Sequence, residues 1–226
     1  MIIKGVKVTL PDGSTHLVDL DMPVLDTRDK IQAQINEKLS IGGVVRMAAG
    51  RIPVSNPILI DYTGGAFNSP RLNLSGEGNT STVLLSSGDY VLKVIGGKGD
   101  GQVNKSVYQD FQISRDAEHG RGMSIVETAG IKLNNVTFYG LDIGLYLEST
   151  QISTFENLHC MFGEIGVVLE QPDVFVTPFD SLSFNQCGFM GRRWGMQGGQ
   201  IANMCLFQCR VEGCGAIGTS GLSGYG

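Results

Sequence analysis

The chain of 226 residues is poor in charge and has no long apolar segment. Only 17% of its residues are Asp, Glu, Lys or Arg, the net charge is -5, and no cluster of Lys and Arg is present. This balance disfavours a phosphate-binding surface, so we expect no nucleic acid partner. No apolar run approaches the roughly 18 residues that span a bilayer, and the opening MIIKGVKVTLPDG lacks the apolar core of a signal peptide. We therefore expect neither membrane insertion nor secretion by that route.

Cysteine is absent before residue 160, and the five cysteines from Cys160 to Cys214 are an odd number. A disulfide framework would be distributed along the chain, so this clustering argues against one. The spacing of Cys205, Cys209 and Cys214 superficially suggests a metal site, but the CxxC pairs of structural zinc sites are missing. Free thiols in the core are the alternative. We expect no metal and no cofactor.

Glycine, in contrast, is abundant, with 32 residues, while the apolar content of 42% is ordinary. This combination favours many short strands joined by tight turns over helices. The length is enough for one sizeable core or for one extended architecture.

An internal repeat is visible in the second half of the chain. The stretch FNQCGFMG at residues 184–191 returns as LFQCRVEG at residues 206–213, 22 positions later. Stepping back from Met204 at similar intervals gives a series of five apolar positions: Met204, Leu182, Leu158, Val136 and Phe111. The position before each of them is polar: Asn203, Ser181, Asn157, Asn135 and Asp110. We predict that the five apolar side chains form one buried ladder.

The spacing within each copy predicts a parallel β-helix. Apolar residues two apart indicate strands with one face inward. A unit of about 22 residues, at about 3.3 Å per residue, suffices for one closed coil and is too short for a propeller blade. The coils must then stack in parallel, which places Cys187 over Cys209, while the polar column suits corners with left-handed backbone. A leucine-rich repeat is the main rival, but its Asn-containing consensus and helical half are missing.

The chain before residue 108 fits an entrance to this stack. Residues 1–25 predict a β-hairpin around Asp12 and Gly13, which we interpret as an attachment segment. The stretch DTRDKIQAQINEKLSIGG at residues 26–43 predicts a helix capped by Asp26 or Thr27, whose apolar face plugs the open end of a coil. Short strands follow, and we expect the β-helix to occupy residues 44–226 and to continue beyond them.

The helix, the following IGGVVRMAAGRIPVSNPILI and then RLNLSGEGNTSTVLL resemble the entry segment of pectate-lyase-like right-handed β-helices, which include many bacteriophage tailspikes. The resemblance implies an all-β, right-handed parallel β-helix, a solenoid with an N-terminal capping helix and a small N-terminal hairpin. This class includes polysaccharide lyases, glycoside hydrolases and non-catalytic spikes, so the fold does not name the reaction. The DD and NTD motifs of plant-cell-wall members are absent, and AEHGRG at residues 117–122 only faintly matches GHG.

Outward-facing acids are the candidate catalytic residues. In LDIGLYLE, residues 141–148, alternation points Ile143, Leu145 and Leu147 inward and Asp142, Tyr146 and Glu148 outward. One coil later, GEIGVVLE places Glu164 over Asp142 and Glu170 over Glu148. Stacked like charges lower stability by up to about 1 kcal/mol. A functional role of these acids would explain why they are kept at this cost. The alternative is that exposed acids keep a wide sheet soluble.

Carboxylates about 5 Å apart match a retaining glycosidase, and diagonal pairs match the wider inverting separation. Tyr146 and Trp194 offer faces on which sugars stack, and Arg193 and His159 complete the candidate substrate-binding set. His159, outward between Leu158 and Cys160, also fits a plain surface residue.

Two functions of different class remain. The first is a tailspike or related virion spike, a homotrimer that binds bacterial surface polysaccharide and is a candidate depolymerase. Such a protein is located in the virion tail, acts outside the host cell and contacts other tail or baseplate proteins. The second is a free-standing polysaccharide lyase or glycoside hydrolase of the same fold. The absent signal peptide and the missing catalytic motifs favour the first.

Overall fold

The computed structural model describes residues 2–9, 15–21, 25–63, 71–96, 105–116, 119–170, 181–198, 200–201, 203–213, 219–220 and 223–224. The helix is α1 (Arg28–Lys38). The first strands are β1 (Ile2–Thr9), β2 (Thr15–Asp21), β3 (Gly43–Arg46), β4 (Gly50–Val54), β5 (Ile58–Asp61), β6 (Leu72–Ser75), β7 (Thr82–Ser86), β8 (Tyr90–Ile95), β9 (Val107–Arg115) and β10 (Arg121–Val126). The others are β11 (Lys132–Tyr139), β12 (Ile143–Glu148), β13 (Thr154–Glu170), β14 (Leu182–Asn185), β15 (Gly188–Gly198), β16 (Gln200–Ile201), β17 (Met204–Phe207), β18 (Arg210–Gly213), β19 (Thr219–Ser220) and β20 (Ser223–Gly224). Within these ranges, no helix is both long and apolar enough to cross a membrane.

The N-terminal part contains an antiparallel strand pair and the helix. β1 pairs with β2, and the predicted turn at Asp12 and Gly13 lies outside the described residues. Helix α1 begins after Thr27, whose hydroxyl accepts a hydrogen bond from the Lys30 N–H. Ile31 and Ile35 are fully buried, and the Gln32 amide exchanges two hydrogen bonds with the Leu59 backbone. The helix is therefore anchored on β5 with its apolar face toward the core.

In the described part of the chain, β3 to β15 and β17 to β19 form one continuous sheet of 16 strands. The pairings within it are parallel, as between β10 and β12 or between β11 and β13. The long strand β13 pairs with β11 along its first half and with β12 along its second half. The sheet consequently curls, and its concave side encloses a core of stacked apolar side chains. Phe155 and Phe184, for example, are fully buried and their rings stack with centroids 4.5 Å apart.

The predicted ladder is confirmed over its first three members and over its last two. Val136 pairs with Phe111 on one side and with Leu158 on the other, and Leu182 pairs with Met204. The step from Leu158 to Leu182 is wrong. Phe155 pairs with Phe184 and His159 pairs with Gly188, so Leu158 aligns with Cys187. Apolar alternation permits both alignments because Leu182 and Cys187 are both buried. The prediction that Cys187 lies over Cys209 is confirmed by the register on either side of them.

The polar residues predicted at the corners show the same change of register after Asn157. Left-handed backbone occurs, as predicted, at Asp110 (φ 62), Asn135 (φ 54) and Asn157 (φ 48). The column continues at Gln186 (φ 53) and Gln208 (φ 51). The predicted Ser181 is left-handed as well (φ 56), but it lies in register with Ile152 and so belongs to a different corner. Within the column, Asn135 donates a hydrogen bond to Asp110 at 2.8 Å, and Gln186 donates one to Gln208 at 3.2 Å. Side-chain amides thus bridge successive rungs where the backbone turns.

A column of glycines corrects the predicted orientation of Ile143. Gly122, Gly144, Gly166 and Gly195 stand in register on β10, β12, β13 and β15. A Cβ on Gly144 would lie 3.1 Å from Cys160 Sγ and 3.2 Å from Phe138 Cβ, so this position faces the core. Ile143 does not point inward: it is half-buried and lies in register with the exposed Arg121. Because Gly144 takes the core-facing position, the alternation is shifted and Ile143 lies on the outer side.

Candidate functional site

The candidate site lies on the convex side of the sheet, on β8, β10, β12, the second half of β13 and β15. Inward positions on these strands are filled by two buried ladders: Leu92, Met123, Leu145, Val167 and Met196, and Val94, Ile125, Leu147 and Leu169. The side chains between the inward positions therefore point outward. We call this surface the outer face, and it comprises Tyr90, Lys93, Arg121, Ile143, Tyr146, Glu148, Ile165, Val168, Glu170 and Trp194.

Glu148 and Glu170 are directly opposite each other in register, and Tyr146 joins them. The Tyr146 hydroxyl oxygen lies 2.9 Å from Glu148 Oε2 and 2.8 Å from Glu170 Oε2, which places the two carboxylate oxygens no more than about 6 Å apart. The hydroxyl has one hydrogen and donates to one carboxylate at a time. Acceptor capacity therefore remains for the hydroxyl groups of a ligand.

The pKa of Tyr146 is raised by burial, by its hydrogen bonds to Glu170 and Glu148, and by the negative charge of both. The phenol accordingly stays protonated at neutral pH and acts as a hydrogen-bond donor, not as a base.

Tyr90 lies beside this cluster, with its ring centroid 5.9 Å from that of Tyr146 and the two planes tilted by 48°. The Arg121 guanidinium carbon lies 5.4 Å from the Tyr90 centroid, and the Lys93 ammonium lies 6.0 Å from it. Burial raises the pKa of Tyr90 to about 12, although the charge of Arg121 opposes this shift. Aromatic surface, cations and carboxylates thus meet within one small area. This combination suits an amphipathic, polyhydroxylated ligand.

The predicted substrate-binding residues are divided between two parts of the sheet. Trp194 is half-buried on the outer face, in register with Ile165, and Arg193 beside it is exposed. His159 lies on the first half of β13, in register with Thr137 and Gly188. The structure therefore brings Trp194 and Tyr146 to one face and places His159 elsewhere.

Asp142 and Glu164, the other predicted acids, each lie next to a basic side chain. Asp142 Oδ2 lies 3.3 Å from His119 Nδ1 and accepts a long hydrogen bond of 3.4 Å from the Gly120 N–H. Glu164 Oε1 lies 3.6 Å from Arg192 Nη1. Both acids precede Glu148 and Glu170 by six residues on their strands, so the four candidate acids form two separate pairs. His119 belongs to the AEHGRG stretch, and the sequence pattern alone does not reveal its contact with Asp142.

Tyr90, Lys93 and Arg121 are the outer-face residues that sequence reasoning missed. Tyr90 pairs with Arg121, and Leu59 pairs with Lys93. In both cases the number of residues between the paired strands is larger than the repeat of about 22. The spacing of about 22 residues is therefore not kept before residue 108. The alternation within YVLKVI is the only local signal that Tyr90 and Lys93 belong to a strand surface.

Among the described residues, no three His, Cys, Asp or Glu side chains are grouped as they would be around a metal ion. Cys160, Cys187, Cys205 and Cys209 are free, and Cys214 lies outside the described residues. Burial raises the pKa of Cys160 and raises that of Cys187 to about 12. These two thiols therefore stay protonated and behave as small apolar groups in the core.

No protein-family model matches the chain, and no curated protein matches it. The solved structures that share its fold include a viral protein and a glucanase domain. ORF18 of Geobacillus virus E2 is 14% identical with a TM-score of 0.56, and the alignment covers 92% of this chain and 56% of that one. The catalytic domain of a GH87 α-1,3-glucanase, solved in complex with tetrasaccharides, is 9% identical with a TM-score of 0.55, covering 84% and 38%.

A third structure, the A-module of the mannuronan C-5 epimerase AlgE4 of Azotobacter vinelandii, aligns at 14% identity and a TM-score of 0.34 over 84% of this chain and 74% of that one. That TM-score is too low to support an inference. The chain spans 56% of the viral protein and 38% of the glucanase domain, and at these identities the similarity establishes the fold alone.

Proposed function

We propose that this chain is part of a phage tailspike or related virion spike that binds bacterial surface polysaccharide through its outer face. The observation that carries the proposal is the Tyr146 hydroxyl held between Glu148 and Glu170, next to the Tyr90 ring. The curled parallel sheet, its recurrent steps and the similarity to a viral protein support a right-handed β-helical solenoid as the framework.

The chemistry of the outer face fits a glycan better than other ligands. The faces of Tyr90, Tyr146 and Trp194 offer apolar contact to the C–H side of a sugar ring, and the adjacent carboxylates accept hydrogen bonds from sugar hydroxyls. Arg121 and Lys93 add donors, yet they are only two cations, one of which (Lys93) is paired with Asp89 at 2.8 Å, in a chain of net charge -5. A nucleic acid would require a larger basic surface.

Polysaccharide binding has a direct test in a screen against purified capsular polysaccharides and lipopolysaccharide O-chains. We expect the wild-type chain to bind at least one of these polysaccharides. Tyr90→Ala should lower the affinity for that polysaccharide about tenfold, because a stacking surface is lost. Isothermal titration calorimetry measures the change.

The matched control is Phe207→Ala, which removes another exposed ring, on β17 and away from the outer face. Its affinity should equal that of the wild type. If no polysaccharide in the panel is bound, the proposed function is wrong.

The proposal includes a location in the virion tail, contacts with other tail or baseplate proteins, activity outside the host cell and a homotrimeric state. Closed rotational symmetry is usual for homo-oligomers, and a spike that meets a repetitive cell surface gains avidity from several identical faces. Light scattering and native mass spectrometry should give three copies of the 24.2 kDa chain. A monomer that melts cooperatively would contradict the trimer and favour a free-standing enzyme.

The second candidate is such an enzyme, a glycoside hydrolase or lyase of the same fold. The specific observation in its favour is the separation of the Glu148 and Glu170 oxygens, no more than about 6 Å, because retaining glycosidases hold their two carboxyl groups about 5–5.5 Å apart. A lyase that uses a tyrosine as its base requires a phenolate, which the raised pKa of Tyr146 disfavours. Hydrolysis is therefore the reaction that this site supports better.

A further inference from the structure

Two exposed aromatic rings lie away from the outer face, where β11 and the middle of β13 approach a bend. Tyr139 is 44% exposed and Phe162 is 53% exposed. Their ring centroids are 5.4 Å apart, with the planes at 62° in an edge-to-face arrangement. We call these two residues the aromatic pair. Neither ring contributes to the core, so their burial cannot explain why large apolar side chains stand here.

The backbone of Phe162 is strained. Its φ of 59° lies in the left-handed region, which is a true outlier for a bulky side chain. Tyr139 pairs with Met161, so the residue one rung away from Phe162 is Gly140, which adopts φ 69°. Glycine takes this conformation without strain, as the neighbouring rung illustrates. A phenylalanine at this position therefore lowers stability. Because Ile152 has a similar backbone (φ 46°), what distinguishes Phe162 is the second exposed ring, Tyr139, beside it.

Polar groups flank the aromatic pair on the same turns. Asp142, held by His119, follows Gly140 by two residues, and Glu164, held by Arg192, follows Phe162 by two residues. The Arg115 side chain lies against Gly140, since a Cβ built there would be 3.4 Å from Arg115 Nε. Donors and acceptors therefore lie within a few residues of two exposed rings, a combination that suits a sugar better than a purely apolar ligand.

We propose that Tyr139 and Phe162 form a second saccharide subsite, which binds another sugar ring of the polysaccharide held at the outer face. This inference rests on the proposed function. Asp142 and Glu148 are six residues apart on one run of chain, about 20 Å at 3.3 Å per residue. A long polysaccharide can reach both sites, whereas a disaccharide cannot. Two rings are also far too small a surface for a stable protein interface, which buries at least about 1,200 Å².

The test compares Phe162→Asn with Ile152→Asn. Ile152 is a matched control because it is also exposed, also left-handed at φ 46°, and lies one rung from a glycine, Gly130, at φ 74°. Asparagine tolerates left-handed backbone, so both variants should keep or raise the melting temperature by a few degrees. Phe162→Asn should bind the polysaccharide selected from the capsular and O-chain panel about tenfold more weakly and bind a disaccharide fragment of it as the wild type does. Ile152→Asn should bind both like the wild type.

The outcomes separate this inference from the function on which it rests. If the wild type binds no polysaccharide of the panel, the proposed function and this inference both fail. If Tyr90→Ala weakens binding and Phe162→Asn does not, the second subsite alone is wrong. If Phe162→Asn weakens binding and Tyr90→Ala does not, the aromatic pair binds glycan alone, and both the outer face and its pairing with a second subsite are wrong. A wild-type oligomer that Phe162→Asn dissociates, with glycan affinity unchanged, would assign the aromatic pair to self-association and overturn the inference.

Discussion

Replacing Gly144 by alanine is expected to lower the free energy of unfolding by about 3 kcal/mol. Gly144 stands in the glycine column, and a Cβ there would lie 2.6 Å from the Gly166 carbonyl oxygen of the next rung. The opposing atom belongs to backbone that is fixed by parallel pairing on both sides, so it cannot move away without disturbing the ladder. Urea unfolding followed by circular dichroism measures the loss.

Gly188→Ala provides the control, because the same substitution is made in β15 of the same sheet. The nearest atom to a Cβ at that position is Nδ1 of the His159 side chain, at 3.0 Å. A half-exposed imidazole can shift, so the expected change in the free energy of unfolding is within about 0.5 kcal/mol. Equal stability losses in the two variants would mean that the glycine column is not a site of close backbone approach.

Alanine at Glu148 or at Glu170 is expected to lower polysaccharide cleavage by about 10³-fold or more, if the chain is a hydrolase, while fold and binding are largely kept. Each carboxylate has a distinct role in a retaining reaction, as the nucleophile or as the acid and base, so neither can replace the other. Release of reducing ends from the polysaccharide selected in the binding screen is the readout, and circular dichroism checks the fold.

Glu156→Ala is the matched control for that experiment. Glu156 lies on β13 as Glu170 does, but it pairs with Lys132 at 2.7 Å on a different part of the sheet. Its activity should match that of the wild type. Full activity in the double variant of Glu148 and Glu170 would instead move the reaction to another surface of the chain.

Sequence reasoning recovers the fold where strands recur without insertions. Phe111, Val136 and Leu158 align as predicted, because the steps between them stay close to the length of the repeat. It fails between Leu158 and Leu182, because alternating apolar residues show which face points inward but not how many residues connect one strand to the next. Pairing of Phe155 with Phe184, which fixes the register, is a contact in space that no local pattern encodes.

The candidate site is recovered in part for the same reason. Glu148 and Glu170 are predicted neighbours because both end the sequence LE in successive copies of the repeat. Tyr146 is predicted on the same face, but its hydrogen bonds to both acids depend on side-chain conformation. Tyr90 and Arg121 are not found, because the step that joins them is longer than the repeat and the period is lost.

The unequal steps between aligned strands have a consequence for how such a chain can diversify. The step from Val136 to Leu158 is shorter than the step from Phe155 to Phe184, and the step from Leu59 to Lys93 is longer than both. The inward side chains of these strands nevertheless continue the same kind of ladder. The strands at the two ends of each step still pair in register, so the number of residues between them is not fixed by the pairing. Because each rung depends mainly on the rungs next to it, a connection can lengthen or change without affecting distant strands. Related chains can therefore differ in these connections while the ladder stays constant.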